Sequence, residues 1–119
     1  MATLTKVILS GSSGGRPVQV SATSGQVVIH TPHTSTTTID EVWVYGVNNG
    51  TATVDGFLLW GGTATEAQIA FSLSPKEGAV NIIEGLPILG NSAGSSVIGA
   101  LVSGTNSILL HGFVHRIEE

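Results

Sequence analysis

No cysteine occurs in the 119 residues, so neither a disulfide framework nor a thiolate metal site can hold this chain together. Charge is nearly as scarce: Asp, Glu, Lys and Arg make up 10% of the sequence, against roughly 25% in an average soluble domain. The four basic residues, Lys6, Arg16, Lys76 and Arg116, are spread along the chain, and the net charge is −4. Without a basic cluster there is nothing to release counterions from phosphates, so the composition argues against nucleic-acid binding and against anionic membranes. No apolar stretch approaches the roughly 20 residues of a membrane span. The opening MATLTKVILS has only a short apolar run, too short for the core of a signal peptide, and the expectation is a chain made and used from the cytoplasm.

Helix signals are missing as well. No window of a dozen residues places apolar side chains at 3.6 spacing, and Gly, Thr and Val, poor helix formers, are abundant. What remains is β-structure. Short β-branched or aromatic runs alternate with Gly, Ser, Asn and Pro clusters, predicting strands near 4–9, 17–20, 26–30, 39–47, 52–60, 68–73, 79–84, 96–102 and 108–117. Asn49-Gly50 is the clearest turn signal, because a tight hairpin needs positive φ, and it predicts a hairpin between the fourth and fifth strands. No repeat or linker divides the chain, so the fold expected is one all-β domain over 1–119, an antiparallel, jelly-roll-like sandwich of eight or nine strands.

Hydrophobic residues are plentiful at 41%, with a mean hydropathy of +0.36, and their placement is unusual. In IDEVWVYGVN, residues 39–48, a strand sends Trp43, Tyr45 and Val47 to one side and Val42 and Val44 to the other. Both sides are apolar. The same holds where Leu109, Phe113 and Ile117 oppose Ile108, Leu110 and Val114, whereas a strand in a two-sheet sandwich needs one apolar face. At about 25 cal/mol per Å², a set of such side chains left in water forgoes several kcal/mol. Self-association is the economical cover; loops such as 31–38 folded over the face are the other. The candidate interface residues are Trp43, Tyr45, Leu109, His111, Phe113 and His115.

Chemistry-bearing motifs are few. Gly90-Asn91-Ser92-Ala93-Gly94 matches the G-x-S-x-G elbow, but that motif needs a strand–turn–helix in a parallel sheet and an acid ahead of the His; none lies between Gly94 and His111. His111 and His115 would sit about 13 Å apart along a strand, too far to share an ion within one chain, though three copies about an axis could bring one of them together. His30 and His33 flank Thr31-Pro32 in an expected loop with no nearby carboxylate. Asp40 and Glu41 point to opposite faces, and Glu118 with Glu119 reads as a solvated tail, so no paired-carboxylate site is expected. Trp43, Tyr45 and Trp60 could line a sugar-binding surface, with packing the competing explanation. Neither an enzyme nor any cofactor is implied.

The strings TLTKVILSGSSGGRPVQV, STTTIDEVWVYGVNN, LLWGGT, EGLPILGN and HGFVHRI resemble, in that order and over nearly the whole chain, small virion structural proteins of tailed bacteriophages. The resemblance implies a capsid decoration or cement protein assembled in the host cytoplasm and bound to the outer surface of the head. It implies a compact β-structure, a homo-oligomer with a trimer favoured, and the major capsid protein as partner. No functional residue carries over one by one. In that setting the apolar strands meet sister copies, while Ser/Thr-rich loops and the N-terminal segment meet the capsid. An adhesin-like or carbohydrate-binding virion module and a head–tail connector subunit are the rival functions.

Overall fold

A computed structural model describes residues 2–21, 23, 25–62, 64–92, 96–104 and 106–118. Among the described residues nine strands follow one another: β1 (Thr3–Ile8), β2 (Val18–Val20), β3 (Val27–His30), β4 (Ile39–Val47), β5 (Val54–Trp60), β6 (Gln68–Leu73), β7 (Val80–Leu89), β8 (Ile98–Val102) and β9 (Ile108–Glu118). A 3-10 turn at Thr65–Ala67 precedes β6. The all-β expectation holds, and the bounds of β4 and β6 coincide with those read from the sequence.

The pairing is nested. β5 pairs with β6, β4 with β7, β3 with β8, and both β1 and β2 with β9, all antiparallel, so the chain doubles back on itself as one long hairpin. Wrapping that hairpin brings β4 beside β9 and β5 beside β8. Two sheets result, β1-β9-β4-β7 with β2 also on β9, and β3-β8-β5-β6. This order is that of a jelly roll, in which successive nested pairs alternate between the sheets.

Hydrophobic alternation fixes the core. Val42, Val44, Leu110 and Val114 of the five-stranded sheet meet Ile29, Leu58, Ile98 and Ala100 of the other, and all eight are fully buried. Their β-branched and Leu side chains fill the space between pleated faces.

Two of the expected turns and breaks differ in the structure. Asn49-Gly50 makes no hairpin: β4 and β5 lie in different sheets, and Gly50 keeps an ordinary φ. The crossing is organised by Asn48, whose buried side chain donates to the carbonyls of Ala52 and Leu73, 2.9 Å each, and accepts from the Gly50 N–H at 3.0 Å. β7 runs on to Leu89 through Gly85 and Pro87, which look like breakers. Between the pairs Val42–Leu86 and Val44–Ile83, Trp43 stands opposite two residues, a bulge that Gly85 accommodates at φ 66°. β7 is the sheet edge, the position where a strand tolerates proline.

Candidate functional site

On β4, the side chains of Asp40, Val42 and Val44 turn inward, so Ile39, Glu41, Trp43, Tyr45 and Val47 face outward. The ladder carries the same parity onto β9, where Leu109, His111, Phe113, His115 and Ile117 share that outer face. All six residues singled out in the sequence therefore stand on one surface.

The register arranges this surface in rows across the strands. Leu4, Ile117, Ile39 and Leu89 form an aliphatic row spanning β1, β9, β4 and β7. Next comes a polar row of Lys6, His115, Glu41 and Pro87. The third joins Ile8, Phe113 and Trp43, with the Gly85 bulge beside the indole. Beyond it stand His111, Tyr45 and Asn81, then Gln19, Leu109 and Val47.

The aromatic side chains hold one another. Trp43 stacks on Phe113 with centroids 5.0 Å apart and planes 9° off parallel, and the His115 ring meets Trp43 edge-on at 4.6 Å. Tyr45 lies 6.4 Å from Phe113, and the Lys6 ammonium sits 4.5 Å above the Phe113 ring, a cation–π contact. The surface stays open to solvent even so. Among the described residues, the five most exposed large apolar side chains are Leu4 (66%), Leu89 (54%), Ile8 (48%), Val28 and Ile39, and four of these five belong to this face. The 31–38 loop does not cover it: that loop bonds instead to the end of β7, through Gly90 to Thr38 and Asn91 to His33.

Trp60 is elsewhere. It packs against the core, and its Nε1–H donates to the Pro87 carbonyl at 3.2 Å, so the three aromatic residues considered for sugar binding do not share one surface. At the far end of the outer face, Gln19, Val47, Asn49, Asn106, Ser107 and Leu109 line a hollow of about 340 Å³. Gln19 Nε2 donates to Ser107 Oγ there at 3.3 Å. A larger hollow of about 440 Å³ on the four-stranded sheet is edged by Phe57, Ala70, Ser72 and the lone carboxylate of Asp55.

A second cluster, inside the sandwich, escaped the sequence reading. Asp40 of β4 is 1% exposed and pairs across the ladder with Arg116 of β9, which donates from Nε to Oδ1 at 2.9 Å and from Nη2 to Oδ2 at 3.1 Å. His30, expected at the end of the 26–30 strand beside a loop with no nearby carboxylate, is the last residue of β3 but is fully buried and reaches Asp40 Oδ2 from the opposite sheet at 2.7 Å. The Ser10 N–H donates to His30 Nδ1 at 3.1 Å, so the ring hydrogen belongs on Nε2 and is given to Asp40. Burial works against the charged carboxylate, but the hydrogen bonds from His30 and Arg116 and the Arg116 charge outweigh it, holding Asp40 down at about 2. The same Asp40 hydrogen bond pushes Arg116 up, against the opposing effect of burial.

Ser10, His30 and Asp40 have the residue types of a nucleophilic triad without its geometry. His30 Nδ1 is engaged by a backbone amide, and the Ser10 hydroxyl accepts from the Thr31 N–H at 2.6 Å. Two neighbouring expectations change as well: Glu118 is the last residue of β9 rather than part of a free tail, and His33, expected to lack a nearby carboxylate, has that of Glu118 4.0 Å away. Glu119 lies outside the described residues, as do Ala93 and Gly94 of the G-x-S-x-G match. No three His, Cys, Asp or Glu side chains converge to hold a metal among the described residues, and none of the described helices could cross a membrane.

No protein-family profile matches the chain, and no curated protein matches it significantly.

Proposed function

We propose that this chain is a non-enzymatic structural protein of a tailed-phage virion, a decoration or cement protein that binds the major capsid protein on the outside of the head and associates with its own copies. The observation that carries the proposal is the outer face of β1-β9-β4-β7, where aliphatic and aromatic rows stay open to water in a single chain. A chain that exposes aliphatic and aromatic rows on one face gains most by covering them with protein. The resemblance of its strings to small virion proteins supplies the setting. The jelly roll is a fold that viral capsid and lectin domains share, so it fits the setting without choosing the function.

A cement protein works through binding energy alone. Bound to the assembled shell and not to its dissociated parts, it stabilises the shell by mass action, and linked copies add avidity. The test is to add purified protein to expanded heads that lack it. Saturable binding at hundreds of copies per particle, with the heads surviving harsher heating, supports the proposal; absence of binding refutes it.

The amide-lined hollow at Gln19, Asn49 and Asn106 favours a second reading, a carbohydrate-binding virion module, since amides and hydroxyls over an apolar floor suit a sugar ring. Glycan binding that is lost in Asn106→Leu, with copies numbering only tens per virion, would select that reading.

A further inference from the structure

We infer that the outer face of the five-stranded sheet is covered by the same face of a second copy, related by a twofold axis that lies in the interface and runs along the strands. The inference deepens the cement reading, since it names the occupant of that surface.

The rows decide the geometry. A twofold along the strands keeps each row at its own height and reverses the strand order, so β9 lies over β4 of the second copy and β1 over its β7. Like then meets like. Ile117 faces Ile39 and Leu4 faces Leu89, while Phe113 comes over Trp43. In the polar row, which carries Lys6 and His115 on one half and Glu41 on the other, Glu41 comes opposite His115 of the second copy and beside its Lys6. Every such contact occurs twice. An axis across the strands would instead lay the aliphatic row on Gln19 and Leu109 and leave Glu41 facing Tyr45, with Lys6 of the second copy no longer beside it. The charges thus select the first arrangement.

The face is also large enough. Four strands at a spacing of about 4.8 Å and nine residues at about 3.3 Å give on the order of 600 Å² per copy, so a pair covers about 1,200 Å², the lower bound for specific interfaces. Aligned sheets pack within about 30° of parallel, which this axis permits. A flat face that complements itself closes at two copies, whereas a ring of three needs two different patches on each. The order of association inferred from the rows is therefore two, not the three expected from the resemblance.

Leu4 and Leu89 supply the test, because they stand on opposite edges of one sheet and can meet only between copies. Sedimentation equilibrium of the full chain should give twice 12.1 kDa. Leu89→Lys should weaken pairing by about tenfold or more, and Leu4→Lys with Leu89→Lys should leave a monomer. Leu4→Glu with Leu89→Lys should restore pairing to within about threefold of the parent. Both side chains are exposed, so circular dichroism should report unchanged folding in each variant. A monomer at millimolar concentration, a trimer, or a dimer indifferent to both lysines overturns the inference. Head binding is scored separately: a dimer that ignores heads sinks the cement reading alone, and a trimer that binds them sinks the pairing alone.

Discussion

Asp40 and Arg116 stand opposite one another on β4 and β9 and are joined by two hydrogen bonds, 2.9 and 3.1 Å, with the carboxylate closed off from water. His30 ties the same carboxylate to the other sheet, so one ion pair serves both a ladder and the contact between layers. Such a pair adds little over a well-packed apolar one, yet losing one partner strands a buried charge.

Arg116→Met should therefore destabilise the fold by about 3 kcal/mol, read from urea unfolding. Adding Asp40→Leu should recover much of that loss, since it removes the stranded charge. If the double variant is as unstable as the two single losses combined, the pair is not coupled as described.

Acid should reveal the same carboxylate. Its ordinary value is 3.8 and the folded protein holds it at about 2, so the unfolded chain takes up the proton first. The resulting stability, about 2 kcal/mol, is present in full above about pH 5 and is lost progressively as pH falls through 2. Urea midpoints measured from pH 5 to 2 should fall in the parent and fall less steeply in Asp40→Asn. Equal slopes would show that other carboxylates govern the acid limb.

Asn48→Ala should cost about 2 kcal/mol or more, because it leaves the Ala52 and Leu73 carbonyls and the Gly50 N–H without their partner at a buried corner. Gly50→Ala should cost less, since Gly50 has no positive φ to lose and its Cβ, 3.2 Å from Asn48 Oδ1, asks only a small shift of that side chain. The reverse ranking in thermal unfolding would return the turn to Asn49-Gly50.

That misreading shows where the sequence was legible. Alternation in residues 39–47 placed β4, because each of its side chains has one face to occupy and Val42 and Val44 mark one of them. The outer rows were legible for the same reason, which is why Trp43, Tyr45, Leu109, His111, Phe113 and His115 emerged together. Alternation does not say which apolar face is the core. Until β4 and β9 are in register, Asp40 and Arg116 are two unrelated charges 76 positions apart, and His30 looks like an exposed strand end beside a loop. Asn-Gly signals a turn but not whether the chain returns within one sheet or crosses to the other. Gly85 and Pro87 hide the second half of β7, since a bulge and an edge strand accept what a central strand rejects.

Gly85→Ala should destabilise by about 1–2 kcal/mol, since a side chain is strained at φ 66°. A Cβ there would also stand 3.0 Å from the Trp43 ring, so the indole must shift and its stack on Phe113 loosen. In a Trp60→Phe background, the remaining fluorescence should change in intensity or wavelength. An unchanged spectrum would show that the bulge and the indole are independent.

The two tryptophans separate folding from association. Trp60 packs on the core, so Trp60→Phe removes its Nε1–Pro87 bond and should cost about 1 kcal/mol in unfolding while leaving copy–copy affinity within about twofold. Trp43 is on the outer face and contributes its stack on Phe113, worth about 1 kcal/mol to the single chain. In the paired arrangement it also meets Phe113 of the second copy, so Trp43→Ala should weaken association at least about tenfold. Sedimentation and urea titration on both variants give the contrast. Equal effects on association would mean that the aromatic row acts within one chain only, and the open face would then need a different explanation.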